Sequence, residues 1–366
     1  MARWAMGQRS VADFMFRTGP QHHESQVLIV GARAVVVLTT SRPANDGVIG
    51  ALTSARATAD GSAARERAWW AEQVAAAERQ LDDTVRLLHA GPAPQRFTTE
   101  RGRALDLDPA VIEWTGLLIV DRPAPPTGVD RGPDSGRIPL AVVLRRDWEL
   151  LLHELRSAAA VVRYLDWCAR RGPVPDEVPA HYAWLAVASE LPLRPAESFL
   201  RALAAKPLLR DVLPGHAVIG RLLDYVASTQ LDDVLDEAGR HRLLSLIDEF
   251  PVDARSDLGE WTADPAVARL RTFRFSDGIP QYVVAVMPDL NDAWSAAFHD
   301  LVQLRHHEAR EQAADPASLC TFGFVLAAGA NRWPWPVAYF TCLQGPVTLA
   351  PSELVRIREF WSGTVS

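Results

Sequence analysis

Residues 26–41, QVLIVGARAVVVLTTS, constrain the fold more than any other stretch of this 366-residue chain. Two short runs rich in Val, Ile and Leu stand on either side of Gly31, and each is too short for a helix of ordinary length. They read as two buried strands folded over a Gly31 turn. Polar groups fringe both ends, with His22, His23 and Glu24 before the first run and Thr39, Thr40, Ser41 and Arg42 after the second.

Residues 111–121, VIEWTGLLIVD, form another apolar run, of the kind found in strands buried on both faces. Residues 63–89 give the clearest helix: Trp70, Val74, Ala77, Leu81, Val85 and Leu88 recur at three- and four-residue steps as one apolar stripe, and Gly91-Pro92 ends it. The preceding residues 43–62, rich in Gly, Ala, Ser, Thr and Asp, have no period and read as a long mobile loop. Strands are expected at 96–98 and 140–144, and a helix at 147–171 capped by Asp147, with Leu151, Leu155, Val162 and Leu165 turned inward. Residues 180–260 are helical in pattern. The last third, with RLRTFRF and QYVVAVM about a Ser276-Asp277-Gly278 turn, a helix over 292–313, two more strands and a helix over 351–361, makes a small α+β unit.

The expected fold class is therefore α/β and α+β, divided into an α/β domain over 1–122, a Pro/Gly-rich linker over 123–139, a mainly helical middle over 140–260 and an α+β C-terminal unit over 261–366. A chain of this length exceeds what one core ordinarily fills. No apolar stretch reaches the roughly 18–20 residues of a spanning helix, so no membrane association and a cytoplasmic location are expected. Cys168, Cys320 and Cys342 are isolated in the sequence and read as buried, reduced thiols.

The net charge of −7 is unevenly spread: residues 1–120 balance, whereas 173–260 hold nearly twice as many acids as bases. An acidic chain disfavours a broad nonspecific nucleic-acid surface but leaves room for a local basic groove. Basic candidates are Arg145-Arg146, Arg170-Arg171 and the alternating Arg269 and Arg271, the last two on one strand face. Among the aromatics, Trp70 belongs to the helix stripe and reads as core, while Trp333 and Trp335, in a WPWP stretch, are a candidate contact site. The sequence carries no P-loop, dinucleotide-binding glycine pattern, HExxH or GxSxG. His22 and His23 point to opposite faces if they lie in a strand, which argues against one shared metal. His299, His306, His307 and Glu308 read as the polar face of an exposed helix.

Taken in order, the opening hairpin, AWWAEQVAAAERQLDDTVRLL, QRFTTERGRALDL, GLLIVD and PLAVVLRRDWELLLHELRSAAAVVRYLDW resemble a family of bacterial proteins. The N-terminal part of that family is similar to the PD-(D/E)xK restriction-endonuclease fold. The resemblance continues through HYAWLAVASELP, RTFRF, QYVVAVM and FGFVLAA. It implies a site in which an acid ahead of the first strand, an Asp at its start and a Glu/Gln/Ser-x-Lys pair at the end of the next strand hold Mg²⁺ and polarise the attacking water. Laid on this chain, the acid falls at His23 or Glu24, the Asp at Gln26 and the pair at Leu38 and Thr40. Arg42 follows two residues on, but a guanidinium cannot give up a proton.

The resemblance thus implies a degenerate catalytic motif at Glu24, Gln26 and Thr40, with no cofactor and no metal. The protein would bind nucleic acid or a protein partner, with Arg42, Arg145, Arg146, Arg269, Arg271, Trp333 and Trp335 as contact residues, in the setting of prokaryotic defence. The alternatives are an active Mg²⁺-dependent nuclease that joins Glu24 to Asp121 or Glu113, and a scaffold that binds only proteins.

Overall fold

The computed structural model describes residues 13–17, 26–41, 59–99, 102–122, 125–126, 137–171, 214–228, 236–251, 254–262, 269–274, 280–287, 290–313, 316–317, 319–327 and 337–364. The chain divides into two compact units, Met1–Asp211 with Leu231–Ser245, and Val212–Gln230 with Leu246–Ser366. Both mix helix and strand.

The first unit is built on seven strands: β1 (Met15–Arg17), β2 (Gln26–Val30), β3 (Arg33–Ser41), β4 (Gln95–Thr99), β5 (Ala104–Leu107), β6 (Glu113–Asp121) and β7 (Leu140–Leu144). Their order is β5-β4-β1-β2-β3-β6-β7. Pairing is antiparallel from β5 to β3 and parallel from β3 through β6 to β7. A parallel pair needs a long crossover, and the β3–β6 crossover holds helix α1 (Ala59–Ala90) and the β4–β5 hairpin.

Helix α1 lays the expected stripe on one sheet face, where Trp70, Ala77, Leu81, Val85 and Leu88 pack with Val27, Ile29, Val36, Leu38, Leu118 and Val120. The alternate strand residues, among them Leu28, Val35, Leu117, Ile119, Ala141 and Val143, are also buried. They line the face where helices α2 (Arg145–Leu155) and α3 (Ala158–Arg171) run, as the 3.2 Å hydrogen bond from Thr115 to Asp166 records. Gly116 lets α1 seat this closely, because a Cβ there would collide with the Leu81 side chain and press on Leu140. Gly116→Ala is accordingly expected to destabilise the protein by about 1–3 kcal/mol as the core is overpacked, read as a lower denaturant midpoint at unchanged m.

The second unit holds helices α4 (Pro214–Ser228), α6 (Arg255–Trp261), α7 (Asp292–Gln312) and α8 (Pro351–Thr364). Its four strands, β8 (Arg269–Phe273), β9 (Gln281–Met287), β10 (Cys320–Ala327) and β11 (Val337–Gln344), are ordered β11-β10-β9-β8, and only β9 and β10 run parallel. Helix α7 makes that crossover. It buries Phe298, Leu301, Val302 and Leu304 against Val283, Ala285, Met287 and Val325, with Ile357 and Trp361 of α8 closing the cluster. Helix α5 (Glu237–Asp248) runs through the chain position where the first unit gives way to the second.

Several expectations are corrected. The sheet does not end at residue 122: β7 pairs with β6, and α2 and α3 pack beside it, so residues 140–171 belong to the first unit. The helix expected over 147–171 is two helices. It starts at Arg145, and Arg156 turns left-handed (φ 45°), donating its N–H to the Leu152 carbonyl; the Ser157 hydroxyl then accepts from the Ala160 N–H and starts α3. Asp147 is a buried first-turn residue, not the cap. Residues 59–62 belong to α1, not to the loop expected over 43–62, the rest of which lies outside the described residues. Cys342 is exposed, and its sulfur lies 3.5 Å from that of buried Cys320 across β10 and β11. No helix among the described residues is long and apolar enough to cross a membrane.

Candidate functional site

The β2–β3 hairpin decides which side chains can meet. Its register pairs Gln26 with Val37 and Val30 with Arg33, and the turn sits on Gly31 at φ 57°, a conformation that suits glycine. The Gly31 N–H donates to the Ser245 hydroxyl at 3.0 Å.

Directly paired antiparallel residues share a face, and neighbours along a strand do not. Gln26 therefore lies on the face of Val37 and Thr39, and Leu38 and Thr40 lie on the face of α1. The three positions that a metal-nuclease motif would need together are split across the sheet. Leu38 is buried in the core. The Thr40 hydroxyl donates to Gln73 Oε1 of α1 at 2.6 Å. Gln26 Oε1 is buried with no hydrogen-bond partner among the described residues. His22, His23, Glu24 and Arg42 lie outside the described residues.

At the carboxyl ends of the parallel strands, the place where open α/β sheets present ligands, charged residues gather. Asp121 of β6 is in register with Ser41 of β3, and Val120 with Leu144 of β7. Arg145 bridges two carboxylates there, Asp121 at 3.3 Å and Glu149 at 2.9 Å. The Glu149 hydrogen bond first, and the nearby Asp121 charge next, hold its guanidinium above the ordinary arginine range. Arg122 pairs with Glu66 at 3.1 Å and lies 5.2 Å from the centre of the Trp69 ring. Arg146 is exposed and contacts Asp147 at 3.4 Å.

On this rim three arginines meet four carboxylates, so its ion pairs leave no surplus of positive charge. An incoming phosphate would compete with Asp121 and Glu149 for Arg145, while Arg146 is the rim cation most open to solvent. Glu113 stands at the opposite end of β6 from Asp121 and pairs with Arg33 at 3.3 Å, so the two acids offered as partners for Glu24 do not converge. Among the described residues, no three His, Cys, Asp or Glu side chains group as metal ligands would.

In the second unit, Arg271 pairs with Asp257 at 3.3 Å and stacks 4.6 Å from the Phe273 ring, while Arg269 donates to the Trp261 carbonyl at 3.0 Å. Both are drawn into intramolecular contacts. Trp333 and Trp335 lie outside the described residues.

The expected exposed polar face of α7 is also corrected, since His306 is buried. Its Nε2 donates to the Gly345 carbonyl at 2.8 Å, which leaves Nδ1 to accept from the Thr321 hydroxyl at 2.9 Å. Burial holds its pKa below the usual histidine value, against the opposing pull of the Gly345 hydrogen bond. His299 lies between Gln303 at 3.1 Å and Thr341 at 3.2 Å, and His307 is near Glu311 at 3.6 Å. The three histidines thus address separate partners.

Sequence reasoning missed Arg305 and Arg358, which meet on Glu308 from two helices, and His241, sealed against Phe14 and Phe16. Arg305 and Glu308 are three apart on α7, a visible pair; nothing local announces Arg358. Compared with known proteins, the chain matches no family model, no curated protein and no solved structure.

Proposed function

We propose that the first unit is a nuclease-like platform that binds and does not cut, with nucleic acid as the ligand read at the carboxyl ends of β3, β6 and β7. The observation that carries this reading is the hairpin register. It sends Gln26 to one face and Leu38 and Thr40 to the other, and the Thr40 hydroxyl is already engaged by Gln73. A hydrolytic site needs charge-stabilising groups converging on one phosphate. Here the corresponding positions hold an amide, a core leucine and a hydroxyl, none of which is a strong Mg²⁺ ligand.

Purified protein incubated with plasmid DNA and with RNA, with and without Mn²⁺, is expected to leave both intact. Cleavage that Glu24→Ala abolishes would overturn the reading in favour of a rearranged Mg²⁺-dependent nuclease. Duplex binding followed across a salt series is expected to weaken steeply with salt, and Arg146→Gln to reduce the slope by about one phosphate contact.

One observation favours a protein partner instead. Arg145 is neutralised by Asp121 and Glu149, which makes the rim a mixed-charge surface of the kind proteins pair with. That reading requires nucleic-acid binding to be absent at low salt. Prokaryotic defence is the setting we propose for either ligand.

A further inference from the structure

Within the second unit, α6, β8, α7 and α8 line an open cleft of about 820 Å³. That volume lies inside the range of roughly 300–1,000 Å³ usual for small-molecule sites. Arg269, Arg305 and Arg358 line it together with a single carboxylate, Glu308, and two tryptophans, Trp261 and Trp361.

The charges are organised around that carboxylate. Glu308 Oε2 accepts from Arg305 Nη1 at 2.8 Å, and Oε1 accepts from Arg358 Nη2 at 2.9 Å and Nε at 3.3 Å. Both oxygens are occupied, and two guanidinium groups share one negative charge, so the pair keeps a net positive charge after its ion pairs are made. Burial raises the Glu308 carboxyl, but the hydrogen bonds from Arg358 and Arg305 outweigh it and keep the group below the usual carboxylate range. It stays ionised as a fixed anchor. Arg305 Nε is buried with no hydrogen-bond partner among the described residues. Arg269 reaches the same space while donating to the Trp261 carbonyl.

Planar guanidinium donors fixed in this way suit phosphate oxygens, which accept two parallel N–H bonds. The tryptophans supply the apolar part. Trp361 is buried and anchored through its indole N–H on the Ala297 carbonyl at 3.3 Å, forming a rigid wall, and Trp261 is half-buried. Stacking on aromatic side chains is the usual means of holding a nucleobase without reading its sequence.

We propose that this cleft binds a phosphate monoester carried on a planar apolar body, a nucleoside monophosphate or the phosphorylated end of a nucleic-acid strand. Every residue that lines it belongs to the second unit.

Calorimetric titration of the full chain with adenosine monophosphate, adenosine, inorganic phosphate and a 5′-phosphorylated oligonucleotide tests the proposal. Adenosine monophosphate is expected to bind at least about tenfold more tightly than adenosine or phosphate alone, because charge-assisted and stacking contacts both contribute. The two sources separate by rank. Tighter binding of the oligonucleotide assigns the site to strand ends, and weaker binding assigns it to free nucleotides.

Arg358→Gln, at a half-exposed position that leaves the core untouched, is expected to weaken binding about tenfold or more. Arg356→Gln makes the same charge change on the same helix, at a residue that pairs with Asp300 and does not line the cleft. It is expected to change nothing. Failure of every phosphorylated probe to bind, or equal losses in the two variants, would overturn the assignment.

Discussion

Arg255→Met is expected to cost about 3–5 kcal/mol of stability, as removal of one partner from a buried ion pair typically does. The Arg255 side chain is 1% exposed and Asp248 is fully buried, with Arg255 Nη2 3.6 Å from the Asp248 carboxylate. The guanidinium also serves the backbone. Its Nη2 donates to the Asp248 carbonyl at 2.9 Å and its Nε to the Phe250 carbonyl at 3.1 Å, where α5 ends and helical carbonyls run out of partners. Methionine fills the space but supplies no donor, so one carboxylate and two carbonyls lose a charged partner in a desolvated place. The double variant Arg255→Met with Asp248→Leu is expected to recover most of the loss, because replacing both members of such a pair is often neutral. Guanidinium denaturation followed by circular dichroism measures both. A loss below about 1 kcal/mol in the single variant would mean that water reaches the pair.

Much of the secondary structure was legible wherever burial has a period. The α1 stripe from Trp70 to Leu88 faces the core as its spacing requires, and the 140–144 strand and the pairing of RLRTF with QYVVAVM appear at the expected places. Elements that lack a period escaped. Strand β1 has three residues, too few to show alternation, although it sits within the sheet between β4 and β2. The start of α1 is written in Ala, Gly and Ser, which make no apolar stripe. The break between α2 and α3 depends on one left-handed residue and one serine hydroxyl inside a run that is helical by propensity on both sides.

The candidate site was less legible, because a sequence shows charges but not their partners. In the sequence Arg145, Arg269 and Arg271 stand as candidate contact residues, and each is held by a neighbour: Asp121 and Glu149, the Trp261 carbonyl, and Asp257. Placing the resemblance's motif on Gln26, Leu38 and Thr40 counts residues along the chain, whereas facing is set by hairpin register. Gln26 opposite Val37 puts a one-residue difference between the strands, and with a period of two that sends the groups to opposite sides.

Lowering the pH from about 7.5 to about 5 is expected to remove about 2 kcal/mol of stability through His241 alone. His241 is 3% exposed, packs edge-on against Phe14 and Phe16, and has neither ring nitrogen hydrogen-bonded among the described residues. Burial first, and the charge of Arg103 second, push its pKa from 6.5 down to about 4. Arg103 is fixed nearby by Asp13 at 3.6 Å and Glu237 at 3.1 Å. Because the folded-state value is depressed, the unfolded chain takes up the proton first. The contribution of neutral His241 is complete above the unfolded value of 6.5 and is lost as pH falls from there toward 4, levelling off below it. His306, also depressed by burial, acts in the same direction, so the wild-type slope is a sum and only a difference isolates His241. His241→Phe removes the titrating ring while keeping an aromatic against Phe14 and Phe16. Its stability is expected to fall less over that interval by about 2 kcal/mol, and to exceed wild type at low pH. Parallel stability curves for the two proteins would show that the ring is hydrated in solution. Arg103→Gln provides the finer test: with the neighbouring cation gone the histidine protonates more readily, so the onset of acid destabilisation is unchanged and its extent shrinks.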